Sequence, residues 1–425
     1  MRKVIIASIL IALSQSAWGQ QKALTLDDCR GMALENNVRM KNARIGIEQA
    51  RQVRREALTK YFPTVKAQGV WMTNDHGLIE LDILPSILPP MYFIDNGVMG
   101  AVTATQPVLA GGQIVNSNKL AKVGYEVSGY QAEQTRDEVV LTTEEYYWQY
   151  IGLQEKLRTV DMVGQLLAST YKDVDLYVKA GVTNRNDLMK VQLKVNSVKS
   201  ARLEIENGLS IVKMLLGQYI GMGTDDFAIA PDSLSKLPAP QNYKVDHLQA
   251  LPNTFSYRLL TSNVEAAKLQ KRLAVGKNLP TIGVGASYSY DNWLDNDHRL
   301  GMVFASVSVP ISDWWGGSHA IKKQKLSLQI AELEKEDASQ LLLIRMQKCW
   351  NDLTEAYNQV ALAKESIATA QENLRLSSDY YKAGTSTLTD LLDAQTSLQE
   401  ARDQYTDSYT DYMVKLTLYL QATGR

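Results

Sequence analysis

The sequence predicts a mixed membrane α+β fold in which one unit of β-strands and long helices occurs twice along the chain. Three observations predict it. The chain repeats itself at an offset of 203 residues, it contains segments of about ten residues with alternating polarity, and it contains proline-free stretches long enough for very long helices.

The repeat is clearest in two sixteen-residue stretches, "YVKAGVTNRNDLMKVQ" at 177–192 and "YYKAGTSTLTDLLDAQ" at 380–395. Seven of the sixteen positions agree, whereas average composition would give about one. "FPTVKAQG" at 62–69 likewise matches "LPTIGVGA" at 279–286. Each half therefore runs helix, strand, strand, long helix, glycine turn and returning helix.

The predicted domain layout follows from this repeat and from a leader at the N-terminus. Arg2 and Lys3 precede an almost wholly apolar run, and "AWG" has the small-x-small form of a cleavage site. That run is too short to span a membrane as a helix. The expected segments are a signal peptide at 1–19, a first repeat at 20–220 with strands at 64–75 and 97–108, a linker at 221–251, and a second repeat at 252–425 with strands at 280–291 and 300–311.

Composition argues against several classes of function. The formal charge of −1 becomes −3 without Arg2 and Lys3, so the chain has no basic surface typical of nucleic-acid binding. The two cysteines lie far apart, which predicts no disulfide framework, and the four histidines have no metal-ligand spacing. No residues resemble a nucleophile–base set. We expect no enzyme, no catalytic residue, no cofactor and no metal.

The predicted strands alternate in a way that suits a membrane barrel. Apolar Ile282, Val284 and Tyr288 alternate with glycine and serine, and similar patterns occupy the other three segments. A strand of a soluble sandwich alternates in the same way, so the strands alone leave both readings open.

The helices favour the membrane reading. No proline interrupts the chain between Gly112 and Ala180, which at 1.5 Å per residue allows a helix of about 100 Å. Apolar residues recur in steps of seven, as in coiled coils. In the second half one such row contains only small residues, which allows either close approach of another helix or an open space beside it. Its members are Cys349, Ala356, Ala363, Ala370 and Ser377.

Four strands per chain cannot close into a barrel, and lipid does not tolerate open strand edges. Barrels have even strand numbers from eight upward, so several copies must contribute. Eight strands leave an interior filled by side chains, whereas twelve begin to open a lumen. A trimer is the smallest assembly that would conduct.

The internal repeat, the stretch "AGTSTLTDLLDAQ", the opening "LTLDDCRGMALENN" and the proline-led strands resemble the outer-membrane efflux protein (TolC) family over nearly all of 24–424. The resemblance implies a homotrimer with a twelve-stranded barrel in outer-membrane lipid, continuing into a long α-helical barrel in the periplasm. It also implies a passive exit duct of a tripartite efflux or type I secretion system, with a periplasmic adaptor and an inner-membrane transporter as partners.

Two other functions remain as alternatives, namely a periplasmic adaptor and a coiled-coil structural spacer. Adaptors lack two pairs of lipid-type strands, and a spacer has no need of the internal repeat. The sequence also departs from the family pattern in a long apolar segment of the first outer hairpin, at 77–96, for which we favour packing on a neighbour or on lipid over folding into the mouth. It does not identify the exported substrate.

The periplasmic gate is expected at the two aspartates after the second glycine turn. Asp390 and Asp393 share one helix face, so a trimer would bring six carboxylates into two acidic rings. The alternative is that they are ordinary N-terminal carboxylates favoured by the helix dipole. The resemblance implies an inter-helix latch at Asp187 and Tyr381, but the family's basic latch partner falls at Ser386.

Gly181 and Gly384 are expected to reverse the chain between long helices, because glycine takes a positive φ without steric cost. That conformational role is sufficient to explain them. The resemblance adds that these turns dock the hairpin of the adaptor.

Overall fold

The computed structural model describes residues 23–75, 79–81, 91–93, 96–223, 227–230, 234, 237–293 and 297–425. The predicted signal peptide at 1–19 and most of the apolar segment at 77–96 lie outside the described residues. Parts of the predicted linker, 224–226, 231–233 and 235–236, lie outside them as well.

The elements follow the predicted order, with two very long helices. The helices are α1 (Leu26–Asn36), α2 (Val38–Thr59), α3 (Gln113–Lys179), α4 (Arg185–Ile220), α5 (His247–Ala250), α6 (Phe255–Lys277), α7 (Asp313–Lys382) and α8 (Leu388–Ala422). The strands are β1 (Ala23–Leu24), β2 (Thr64–Thr73), β3 (Ile79–Leu81), β4 (Met91–Phe93), β5 (Asn96–Ala110), β6 (Ala228–Ile229), β7 (Thr281–Asp291) and β8 (His298–Ser308).

The chain forms two compact units. The first comprises 23–44, 131–257 and 339–425 of the described chain, and the second comprises 45–130 and 258–338 without the gaps stated above. Each unit takes segments from both halves of the repeat.

The second unit is built on a four-stranded antiparallel sheet in the order β2-β5-β7-β8. The two hairpins meet where β5 pairs with β7, so β2 and β8 are its edge strands. The apolar row of one strand pairs with that of the next, as in Val284↔Ala305 and Ile282↔Val307. Val303 on this face is 87% exposed, so this apolar face has no covering within the protomer.

A bulge interrupts the pairing of β5 with β7 between Pro107 and Leu109. Proline has no N–H to donate, so a bulge is the position where a sheet tolerates it. Below the strands, Val264, Ala267 and Ala331 form a small core where α6 packs against α7.

The first unit has a larger core and a buried ion pair. Glu144 on α3 is only 2% exposed, and its Oε1 accepts from Arg30 Nη2 at 2.7 Å and Nε at 2.9 Å. Thr417 Oγ1 on α8 donates to Oε2 of the same carboxylate. Burial raises the pKa of Glu144, and the bonds from Thr417 and Arg30 oppose that rise. This network joins α1, α3 and α8.

Three tyrosines spaced seven residues apart fasten the linker to α8. The hydroxyl of Tyr405 donates to Leu234 O at 2.6 Å, and that of Tyr412 donates to Pro238 O. The hydroxyl of Tyr419 accepts from Val245 N at 3.3 Å. A seven-residue step keeps all three on one helix face.

The structure decides the orientation of the row of small residues. Ala356, Ala363 and Ala370 are buried within the protomer, and Cys349 and Ser377 are half-buried. Ala356 belongs to the core that also contains Tyr412. The row therefore faces packed helices and not an open space.

Among the described residues, no helix is both long and apolar enough to cross a membrane. Within the same part of the chain, no group of three or more histidine, cysteine, aspartate or glutamate side chains is arranged to hold a metal ion.

Candidate gate at the helical turns

Two glycine turns of the same geometry end α3 and α7. Gly181 and Gly384 both have φ of 75°. At the second turn the Gly384 N–H donates to Tyr381 O at 3.0 Å and the Thr385 N–H donates to Tyr380 O at 2.9 Å. This pair of bonds is the Schellman motif, and equivalent bonds occur around Gly181. The conformational role predicted for both glycines is therefore present.

A Cβ added at Gly181 or Gly384 would meet no atom within 4 Å. A side chain at these turns would project into open space in the protomer. The cost of a substitution would come from the positive φ and not from a clash.

The helices that follow the turns begin with matched caps. Asn184 Oδ1 accepts from Asp187 N at 3.0 Å, and Thr387 Oγ1 accepts from Asp390 N at 3.2 Å. Asp390 Oδ2 in return accepts from Thr387 N at 2.9 Å, which completes a capping box. Asn184 and Thr387 were not among the predicted site residues, although "TLTD" is a recognisable capping pattern.

The two aspartates also accept from the hydroxyl four residues earlier. Thr183 Oγ1 donates to Asp187 Oδ2 at 2.6 Å, and Ser386 Oγ donates to Asp390 Oδ2 at 2.8 Å. Ser386, which stands where the family's basic latch partner falls, thus binds a carboxylate as a neutral donor.

These bonds lower the pKa of both carboxyl groups. For Asp187 the largest cause is the Thr183 hydroxyl, and the Lys190 ammonium at 3.3 Å also contributes. For Asp390 the causes are the Thr387 backbone N–H, the Thr387 hydroxyl and the Ser386 hydroxyl. The role of a carboxylate at a helix N-terminus is therefore demonstrated for Asp390 within the protomer.

Asp393 differs from Asp390 in being unengaged. It is exposed and, within the part of the chain that the structure describes, it has no hydrogen-bond or ion-pair partner. Its carboxylate is available to a neighbouring chain, an ion or solvent.

Tyr381 lies half-buried beside the first turn. Its ring packs against that of Tyr177 with centroids 6.3 Å apart, and it also packs on the apolar core that contains Leu388 and Leu392. Burial raises the pKa of Tyr381, and the negative charge of Asp187 raises it further. Tyr381 and Asp187, the two residues implied as a latch, are thus close enough for the charge of one to act on the other, but no hydrogen bond joins them.

Comparisons with known proteins match the chain to one family. Residues 249–420 match the family model described as outer membrane efflux protein. The outer membrane protein TolC of Salmonella enteritidis is 19% identical over 300 residues, which cover 67% of this chain and 60% of that protein. The outer membrane efflux protein BepC of Brucella suis is 27% identical over 203 residues, 46% of this chain and 44% of that protein. The chain thus spans about 60% of the length of the TolC relatives that it matches.

Solved structures show the fold. VceC of Vibrio cholerae superimposes with a TM-score of 0.80 at 14% identity, covering 94% of this chain and 96% of that one. The MtrE outer membrane channel of Neisseria gonorrhoeae, described in its open state, gives 0.78 at 18% identity, covering 94% and 88%.

The fold and its paired strand hairpins are those of the solved outer-membrane proteins VceC and CusC, which confirms the predicted fold class. The matches further confirm the resemblance to the outer-membrane efflux protein (TolC) family, and the outer-membrane localisation predicted from the sequence agrees with it.

Proposed function

We propose that this protein is the outer-membrane exit duct of a tripartite efflux or type I secretion system. It would be a homotrimer that conducts passively from the periplasm to the exterior. The observation that carries this proposal is the four-stranded sheet with one apolar face and two unpaired edges, on a chain that also contains helices of 67 and 70 residues.

The unpaired edges require other copies of the chain. In lipid an unpaired backbone N–H or C=O has no water to bind, so β2 of one copy must pair with β8 of another. Three copies of four strands give twelve, the smallest of these closed barrels with a lumen. The long helices would continue this barrel in the periplasm.

Detergent extraction and unboiled gel electrophoresis test the assembly. We expect membrane-bound protein that yields a heat-sensitive trimer and conducts ions in planar bilayers. A monomer that stays folded in detergent would contradict the strand count. Protein that is soluble without detergent would point instead to the periplasmic adaptor or to the coiled-coil spacer.

A periplasmic adaptor and an inner-membrane transporter are the proposed partners, and the glycine turns are the proposed docking site. Both turns have open space around them, so an adaptor hairpin could approach the backbone closely. Gly384→Trp should block adaptor-dependent export while the trimer still forms. Gly384→Asn is the matched control, because asparagine tolerates a positive φ and is small. If Gly384→Trp exports normally, the glycine serves only as a helix cap.

The proposed gate is formed by three copies each of Asp390 and Asp393, around the axis of the periplasmic mouth. Clustered carboxylates repel one another and attract cations, so the rings would favour cation passage in the closed or narrow state. The helix-capping role of Asp390 does not conflict with this role in the ring. The three donors to Asp390 all contact Oδ2, so Oδ1 can still face the axis. Opening would separate these helices when the adaptor binds.

Charge removal tests the rings. Asp390→Asn combined with Asp393→Asn keeps the side-chain size and leaves an oxygen that can accept at the cap. We expect weaker cation selectivity and weaker block by multivalent cations in planar bilayers. Asp161→Asn, which removes an exposed carboxylate already paired with Arg202, is the control. An unchanged selectivity ratio in the double variant would rule out the rings.

A further inference from the structure

A cleft of about 430 Å³ lies between α3 and α8 of the first unit. Two apolar side chains, those of Leu153 and Val414, form part of its wall. Three carboxylates and one ammonium also line it, namely those of Glu145, Asp407, Asp411 and Lys156. The cleft therefore combines an apolar surface with a negative charge.

Glu145 is the carboxylate of this cleft that lacks a partner. Lys156 Nζ lies 2.7 Å from Oδ1 and 2.9 Å from Oδ2 of Asp407, and Lys415 Nζ lies 2.8 Å from Asp411. Glu145 has no hydrogen-bond or ion-pair partner within the described part of the chain. Although Glu145 is exposed, the walls of the cleft remove part of its solvent shell, which raises the pKa of its carboxyl. A bound cation would supply the partner that the protein does not.

The indole of Trp148 lines the same cleft and also lacks a partner. Trp148 is 3% exposed, and its Nε1 is buried without a hydrogen bond to any described residue. Buried N–H groups are normally paired, so this one indicates an acceptor that comes from outside the chain. Glu145 and Trp148 are three residues apart on α3, which places their Cβ atoms about 5–6 Å from each other. A cation that also contains an acceptor atom would satisfy both groups.

The cleft lies on the side of α8 that is opposite to the linker. Tyr405, Tyr412 and Tyr419 hold the linker on one face of this helix. At 3.6 residues per turn, Asp407 and Val414 lie about 140–160° round the helix axis from Tyr412. Inside a duct the linker would obstruct passage, so in the proposed trimer it lies on the outer surface of the helical barrel. The cleft then faces the lumen.

We infer that this cleft is a transit site for amphiphilic organic cations in the lumen of the proposed duct. The inference rests on the proposed function and names a class of substrate for it. The cationic nitrogen would pair with Glu145, and an acceptor atom near it would bind the Trp148 N–H. The apolar part of the molecule would lie on Leu153 and Val414. A passive duct must release what it binds, so binding should be weak and reversible.

Procaine is a suitable probe, because at pH 7 it contains a tertiary ammonium, an ester carbonyl and an aromatic ring. Benzocaine is its matched neutral analogue, since it has the same aminobenzoate ester without the ammonium. Isothermal titration calorimetry on the trimer in detergent measures both at low ionic strength, where exposed charges are least screened. We expect procaine to bind once per chain, and benzocaine to bind about tenfold more weakly because it makes no bond to the charged group.

Two variants assign the contacts. Glu145→Gln keeps the side-chain shape and removes the charge, so it should weaken procaine binding about tenfold and leave benzocaine binding unchanged. Glu155→Gln is the matched control, because it makes the same change on α3 at a carboxylate already paired with Arg158. Trp148→Phe removes the N–H that binds the ester, so it should weaken both ligands. A heat-sensitive trimer on unboiled gels checks that each variant is folded.

The inference is wrong if procaine does not bind, if benzocaine binds equally well, if Glu145→Gln acts like Glu155→Gln, or if Trp148→Phe weakens neither ligand. Because calorimetry measures binding without conduction, this inference and the proposed function can fail separately. A trimer that conducts ions but does not bind procaine would refute the transit site alone. A trimer that binds procaine but does not conduct would refute the duct, and the transit role with it.

Discussion

Replacing Arg30 by methionine tests the buried network of the first unit. Methionine keeps much of the apolar stem of arginine and removes the charge that faces Glu144. Removing one partner of a fully buried ion pair costs about 3–5 kcal/mol. The Arg30 side chain is 34% exposed, so water can partly replace it, and we expect a loss of about 2–3 kcal/mol per chain.

The expected loss can be converted into a melting temperature. An unfolding entropy of about 2.1 cal/mol/K per residue gives about 0.9 kcal/mol/K for a chain of this length. Arg30→Met should therefore lower the melting temperature of the detergent-solubilised trimer by about 2–3 °C at pH 8. Differential scanning fluorimetry or calorimetry resolves a change of this size.

The pH dependence gives the sharper test. Burial already raises the pKa of Glu144, and loss of Arg30 should raise it further. Above that raised pKa the Glu144 carboxyl is charged, and its unpaired buried charge destabilises the fold. As the pH falls through that pKa the carboxyl becomes protonated, and the destabilisation is relieved. The deficit of Arg30→Met should therefore shrink between pH 8 and pH 5.

Two further variants complete this experiment. Adding Glu144→Gln to Arg30→Met should restore most of the stability at pH 8 and abolish the additional pH dependence. Asp27→Asn removes the other partner of Arg30. The side chain of Asp27 is 86% exposed, so this variant should change the melting temperature little. An equal deficit at both pH values, or no restoration by Glu144→Gln, would refute the reasoning.

Three other outcomes are expected. Gly384→Ala should destabilise the second turn by about 1–2 kcal/mol, because alanine is strained at a positive φ. Faster hydrogen exchange at 380–395 would show this effect, and unchanged exchange would contradict it. Tyr412→Phe should lower stability by about 1 kcal/mol, because the bond to Pro238 O is lost, and should increase proteolysis of the linker; a linker equally resistant to protease would contradict this. Burial raises the pKa of Asp137 to about 6. Asp137→Asn should therefore raise the melting temperature at pH 8 and have little effect near pH 4, where the wild-type carboxyl is neutral. An equal effect at both pH values would be inconsistent with that shift.

Sequence patterns predicted the four long strands, because a strand with one apolar face carries a period-two signal that does not depend on distant contacts, but they did not predict the short strands β1, β3, β4 and β6. The predicted ranges 64–75 and 280–291 compare with Thr64–Thr73 and Thr281–Asp291 in the structure. The pairing of β5 with β7 was not predictable in this way, because alternation fixes which face a residue takes and not which strand lies next to it.

The sequence identified residues of the candidate site but not the contacts that they make. The repeated "AG" and aspartate identified both turns, and the offset of the two copies showed which residues correspond. The bonds that distinguish the copies depend on three-dimensional neighbours. Ser386 binds Asp390, and Gln395 reaches Thr170 while Gln192 does not. Identical residues at equivalent positions carried no sequence signal of that difference.

Tyr405, Tyr412 and Tyr419 hold the linker on α8, and this arrangement requires different things of the sequence of the helix and of the linker. Three of the linker atoms that these hydroxyls bind belong to the main chain, namely Leu234 O, Pro238 O and Val245 N. The fourth is the side-chain Nε2 of His247, 3.3 Å from the hydroxyl of Tyr419. The helix must therefore keep its tyrosines, whereas the linker must mainly follow the same path and keep the side chains that pack on the core, such as Phe227 and Ile229. Exposed linker side chains such as Gln241, Asn242 and Gln249 can diversify for other surfaces, so these positions are suitable places to introduce labels, tags or altered recognition without loosening the helices beneath them.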